Sequence, residues 1–199
     1  YDPALTGKVL AENRDRIVGI KVRATARNLG RVGREGLRRA KALARDLGVP
    51  MLVHIGEGRD YTGTPSFTAA EVLDLLDPAD ILTHPFHARI GNVLQADGKA
   101  TPALWAAVER GVCFDVGHGR NMFSVRMYRM LTDLGFHEFL IGSDVNTGCV
   151  NGPVFDLMTT MTKFLALGLA SLDIIRRVTT LPARALRREN DIGCLRVGG

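Results

Sequence analysis

Five apolar runs in this chain each end on, or enclose, a residue that can do chemistry. Ile81 and Leu82 lead to His84 before the chain breaks at Pro85, PMLVHIG carries His54, VCFDVGHG carries Asp115 and His118, FLIGSDVN carries Asp144, and VGIKVRA holds Lys21. Either imidazole alone reads more readily as a hydrogen-bonded strand-end histidine, but two that close neighbouring strands are a ready pair of zinc ligands. Asp144 is the strongest single carboxylate. At the end of an apolar strand it can bind a metal, take a proton from metal-bound water and pass it to a leaving group; the plainer reading is a turn residue or N-cap. Asp115 and His118 are candidate ligands or substrate-orienting groups, and Gly117 and Gly119 imply a tight turn that would aim His118 at substrate.

Lys21 stands inside an apolar strand, where an ammonium is costly to bury. Proteins escape that cost by lowering the pKa, by pairing the charge or by modifying the group. Three readings follow: a Schiff-base lysine of an aldolase-like barrel, a paired or snorkelling structural lysine, or a carbamylated lysine whose carboxylate bridges two metals. The histidines and Asp144 favour the third.

Strands and helices must position these groups. IVGIKVR, residues 17–23, is β-branched and nearly continuous in apolar character, as expected of a parallel strand covered on both faces. Further strands are expected at MLVHI after Pro50, at Asp80 to His84, at Val112 to Val116 and at Glu138 to Ser143, with successive starts roughly thirty residues apart. Ala24 to Gly33 reads as a loop. A helix from Arg34 to Gly48 follows, with Leu37, Ala40, Leu43, Ala44 and Leu47 on one stripe. PSFTAAEVLDLLD is a helix that Thr68 and Glu71 can open as a capping box, and Thr101-Pro102 starts another over Ala103 to Arg110. Phe123 to Leu134, Pro153 to Leu167, Ser171 to Thr180 and Ala183 to Glu189 complete the helices. Strand and helix alternate throughout, which predicts an α/β fold with a parallel sheet. No GxGxxG or Walker loop follows any strand, and polar groups end all five. That favours a (β/α)8 TIM barrel, of which this chain would supply the second half, about strands 4 to 8 with their helices.

The chain has 199 residues and a formal charge of +5. Much of the charge lies between Lys21 and Arg45, where nine basic residues face only Glu35 and Asp46. Arg34, Arg38 and Arg45 read as the solvated face of a helix, and aromatic residues to stack bases are few, so no nucleic-acid partner is expected. Cys113, Cys149 and Cys194 form no CxxC and are odd in number, which argues against a disulfide framework and fits a reducing cytoplasm. No run approaches the length of a membrane span and the amino end shows no signal-peptide core, so no membrane partner is expected. A small-molecule substrate is expected, and homo-oligomer formation is left open.

Taken in order, Lys21 in GIKVRA, His54 in VHIG, His84 in DILTHPFH, the DVGHG of 115 to 119, Asp144 in GSDVN, then NGPVFDLMTTMTKFLALG and TTLPARAL, resemble the amidohydrolase superfamily. Within it the likeness is to amidohydrolase/deacetylase-type metallohydrolases, relatives of dihydroorotase and of adenine deaminase-like enzymes. The resemblance implies a divalent metal centre with two zinc ions, bridged by carbamylated Lys21. His54 and His84 would ligate one ion; Asp144 would ligate the other and act as general base toward a bridging hydroxide. It also implies that Asp115, His118, Asn146 and Asn151 line the substrate pocket, and that an amide, N-acyl or ester bond is cleaved. Family members carry an HxH pair on the first barrel strand, and these residues contain none. Residues 1–199 are therefore expected to be a partial metal-dependent hydrolase barrel domain within a larger protein, without the flanking small β-domain segments. The rival readings are a Schiff-base lyase through Lys21 and a non-enzymatic barrel that binds anions through its basic segment.

Overall fold

The computed structural model describes residues 2–30, 32–58 and 61–197. Arg31 of the basic segment and Arg59 and Asp60 of the Gly-rich turn lie outside them. Along the chain come α1 (Pro3–Glu12), β1 (Ile20–Arg23), α2 (Ala26–Leu29), α3 (Gly33–Asp46), β2 (Met51–His54), α4 (Ala69–Leu73), β3 (Ile81–Thr83), α5 (Pro102–Arg110), β4 (Cys113–Asp115), α6 (Val125–Asp133), α7 (Leu157–Ala166), α8 (Ser171–Val178) and α9 (Thr180–Ala185). The strands follow one another in the sheet in chain order, β1-β2-β3-β4, and β1 and β2 pair in parallel with Ile20 opposite Met51 and Arg23 opposite His54. The chain divides into two compact units. One holds the chain up to Leu82 with Arg89–Val112, the other Thr83–Ala88 with the chain from Cys113 onward.

In the first unit β1 buries one face. Ile20 and Val22 are buried while Lys21 and Arg23 are exposed. The expectation of a strand covered on both faces over 17–23 is therefore corrected, and so is the premise that Lys21 is buried. Leu37, Ala40 and Ala44 of α3 are buried as their spacing predicts, and Arg34, Arg38 and Arg45 are exposed. Lys41, one position past Ala40, is also buried. Its ammonium meets Asp80 and lies 2.8 Å from Asp77, while Asp80 accepts from the Met51 and Asp77 amides, each at 2.8 Å. Arg45 first, and Lys41 after it, hold the Asp77 carboxyl well below the usual carboxylate range. Thr68 and Glu71 form the expected capping box on α4. The segment read as a loop from Ala24 to Gly33 contains the short helix α2.

The second unit is built on aromatic side chains. Phe86 is fully buried, with the rings of Tyr128, Phe136 and Phe139 at 5.4, 5.8 and 5.1 Å, all edge to face. Two expectations are corrected here. The fifth strand, Glu138 to Ser143, is reduced to a single parallel bridge, Asp115 with Leu140, in which Leu140 donates to Phe114 O and accepts from the Val116 amide. The helix expected from Pro153 begins only at Leu157. Cys149 O accepts the Val154 and Phe155 amides, Phe155 takes a left-handed φ of 60°, and the Asp156 side chain caps the Thr159 amide at 2.6 Å. The last helix likewise starts at Thr180 instead of Ala183 and ends at Ala185.

The two cation sites on α3 separate buried from surface charge. Lys41→Met should lower the unfolding free energy by about 3–5 kcal/mol, because Asp80 would stay buried without its counter-ion. Arg45→Met, at an exposed pair, should cost far less than Lys41→Met. Urea unfolding of the two variants measures both.

Candidate functional site

Lys21 and His54 belong to the first unit, and Arg23 shares their face of the sheet. Parallel pairing sets Arg23 opposite His54, and alternation along β1 puts Lys21 on the same side as Arg23. His54 closes β2 and is buried. Its pKa is lowered to about 4, first by burial and then by the positive charges of Arg23, Lys21 and Arg89, with a hydrogen bond to the Gly56 backbone opposing. His54 is therefore a neutral imidazole at pH 7, the form that ligates metal. Glu57, three residues on, is 4 % exposed, and sequence reasoning missed it. Its carboxylate accepts from the Ala26 amide at 3.0 and 3.1 Å and from the Ser66 amide at 3.2 Å, so it is spent on fixing the loops that follow β1 and β2.

His84 opens the second unit's set, directly after β3. Its backbone has φ 72°, its amide donates to Asp115 O at 2.9 Å, and its Nδ1 lies 2.6 Å from Gly117 O. A carbonyl only accepts, so Nδ1 carries the proton and Nε2 carries the lone pair. This is the second-shell arrangement that orients a metal-ligating histidine. Gly117 makes it possible. With φ +46°, a Cβ there would sit 2.3 Å from Thr83 Oγ1 and 2.7 Å from the His84 ring.

Asp115 is half-buried and accepts from Thr83 Oγ1 at 2.7 Å. Its carboxylate occupies the space a side chain at Gly142 would fill. The His118 and Gly119 amides donate to Gly142 O and Ser143 O at 2.9 and 3.0 Å, so the 117–119 turn grips the segment that delivers Asp144. Asp144 itself is exposed, with φ 46°, and its Oδ2 lies where a Cβ on Gly119 would come within 2.8 Å.

Both ring nitrogens of His118 are engaged within the unit. Nδ1 bonds Gly119 O at 2.8 Å, Nε2 meets Lys163 Nζ at 3.1 Å, and the ring stacks on Phe123 at 5.0 Å. Burial lowers the His118 pKa, and the Lys163 charge adds to that while the Gly119 carbonyl opposes it. Asn146 bonds within its own loop, from Nδ2 to Asp144 O at 3.0 Å and from Oδ1 to the Gly148 amide at 2.9 Å. Asn151 is exposed. Buried Cys149 accepts from the Asn146 amide at 3.3 Å and donates from Sγ to Asp144 O at 3.6 Å.

The structure thus gathers His84, Asp115, His118 and Asp144 around one glycine turn, with Lys163 and Cys149 as partners. Lys21 and His54 share a face in the other unit. Among the described residues no three His, Cys, Asp or Glu side chains converge as a metal-holding group. The donor chemistry nonetheless fits a divalent ion at two positions, since His54 is held neutral and His84 has its Nε2 lone pair fixed. Lys163 and Glu57 carried no local signal, because their partners are distant in sequence.

Two measurements test this geometry. Gly117→Ala should cost about 2–4 kcal/mol and switch the His84 tautomer, whereas Gly135→Ala, at a positive φ with open space around it, should cost only about 1 kcal/mol. For His54, the folded pKa lies below the unfolded value, so the unfolded state binds the proton first. Stability is complete above about pH 6.5 and falls as the pH drops toward about 4, by up to about 3 kcal/mol. Proton titration of the His54 ring by NMR, paired with unfolding of the metal-free protein across that window, checks it.

No family model matches the chain. "Deacetylase Atu3266" of Agrobacterium fabrum is 34% identical over 177 residues, which is 89% of this chain and 42% of that protein. A deacetylase of Enterococcus faecalis is 33% identical over 183 residues, 90% of this chain and 48% of that one. Among solved structures, an adenine deaminase superposes with a TM-score of 0.88 at 32% identity over 99% of this chain and 52% of its own. A dihydroorotase superposes with 0.81 at 34% over 96% and 49%. The chain spans about half the length of the curated relatives it matches. No helix among the described residues is long and apolar enough to cross a membrane. The parallel α/β sheet thus superposes on about half of an adenine deaminase and about half of a dihydroorotase, in line with the resemblance to the amidohydrolase superfamily.

Proposed function

We propose that this chain carries part of the active site of a metal-dependent hydrolase that cleaves an amide, N-acyl or ester bond of a small molecule. The observation that carries the reading is the His84 Nδ1 bond to Gly117 O, which leaves the lone pair on Nε2, on the turn that also supports Asp144. The likeness to proteins named deacetylase supports the bond class. In this reading Lys21, as a carbamate, with His54, His84 and Asp144 would hold two divalent ions, zinc by preference. Bound there, such ions polarise a carbonyl and lower the pKa of water.

The chain's own residues do the rest. Asp144 accepts the proton of the attacking water and returns it to the departing amine or alkoxide, so one carboxylate serves as base and then acid. Its side chain is exposed and so within reach of a substrate. Asp115, His118, Asn146 and Asn151 line the pocket. His118 contributes its ring, since both its nitrogens are engaged, and Asn146 shapes the loop after Asp144. The reaction belongs in the cytoplasm, and neither nucleic acid nor membrane takes part.

The native protein, prepared with bicarbonate, should contain divalent metal that Lys21→Ala largely loses. Asp144→Asn should lower kcat by about 10²–10⁴-fold while the metal content changes less. Elemental analysis and turnover of an N-acetyl amino acid measure these. Turnover that survives chelation, together with borohydride trapping of a carbonyl substrate on Lys21, would replace the hydrolase with the Schiff-base lyase.

A further inference from the structure

Lys163 is a charge without an anion. It sits in the apolar helix α7, half-buried, and among the described residues no carboxylate forms an ion pair with it. An ammonium so placed gives up hydration for neutral acceptors only. Those acceptors are two: His118 Nε2 at 3.1 Å and the Pro153 carbonyl. Each is tied to the segment that carries Asp144. For the first, His118 Nδ1 bonds Gly119 O, the Gly119 amide bonds Ser143 O, and the Asp144 carboxylate packs against Gly119. For the second, Pro153 ends the loop that Asp144 begins, a loop closed inside by Cys149, which bonds Asp144 O through its thiol and the Gly152 amide through its carbonyl.

We propose that Lys163 is a positioning residue that clasps both ends of the Asp144 loop, holding His118 in its Nδ1–H form and thereby the 118–119 turn on which the Asp144 carboxylate rests. The ammonium supplies two directional donors from a helix, so the loop is fixed to a rigid element and not to another loop. It acts through His118 and Pro153 and touches no substrate. A side chain of equal length without donors would fill the same space and hold neither acceptor.

The inference rests on the role proposed for Asp144, and its test has one arm independent of that role. In the wild type, long-range 1H–15N spectra should show His118 protonated at Nδ1 with Nε2 accepting a hydrogen bond. An Nε2–H tautomer would overturn the proposal, whatever any variant does. Lys163→Met should release that tautomer and speed exchange of the Gly119 amide. In turnover of an N-acetyl amino acid or p-nitrophenyl acetate by the native protein, it should lower kcat about 10–100-fold with KM within about two-fold, and Lys163→Arg should restore part of the loss. An unchanged kcat in a folded Lys163→Met variant would also overturn it. If the wild type hydrolyses neither compound, the hydrolase reading fails, and the tautomer and amide exchange still decide the clasp.

Discussion

The second unit depends on a turn with no room for a side chain at its two glycines. At Gly117 the missing Cβ leaves space for Thr83 and the His84 ring; at Gly119 it leaves space for the Asp144 carboxylate. Both positions also require positive φ, so glycine is demanded twice over, by conformation and by crowding. The turn's backbone then serves three groups. Gly117 O fixes the His84 tautomer, Gly119 O fixes that of His118, and the amides between them grip Gly142 and Ser143. Main-chain atoms thereby orient the His84 ring and, together with Lys163, the His118 ring.

In the first unit, orientation comes from the sheet and electrostatics from its uncovered face. Ile20, Val22, Met51 and Val53 are buried, which leaves Lys21, Arg23 and His54 on the other side of the pleat. Burial first, and the cations on that face after it, hold His54 neutral. Glu57 could have offset them, but its carboxylate is already engaged by two backbone amides. The field around His54 is thus positive before any ligand arrives.

Features set by neighbours in sequence were legible. The Thr68 and Glu71 capping box, the α3 stripe of Leu37, Ala40 and Ala44, and proline opening α5 all depend on spacings of a few residues. So was the place of His54 at the end of β2 and of His84 just past β3, because an apolar run that stops at a polar residue is itself a local pattern. What escaped depends on partners far along the chain. Lys41 looks like one more basic residue until Asp80, 39 positions on, is seen to meet it, and Lys163 reads as a helix lysine until its partner His118, 45 positions back, is found. The start of α7 was misread for a related reason. Proline at 153 is a good helix opener, but the Cys149 carbonyl captures the next amides and moves the cap to Asp156. Lys21 was misjudged because an apolar composition does not say whether both faces of a strand are covered.

Asp80 has one further consequence. Parallel strands can slide past each other by a dipeptide without exchanging their faces, so apolar packing alone discriminates weakly between such alignments. Asp80 stands at the entry to β3 and accepts the amide of Met51, the first residue of β2, while its other oxygen meets Lys41 from α3. A slipped alignment would part that anion from its amide in the interior, where the mismatch is most expensive. The carboxylate works as a proofreader of strand alignment at the end of the sheet remote from the histidines. The reactive end is thereby free to change its side chains without losing its place.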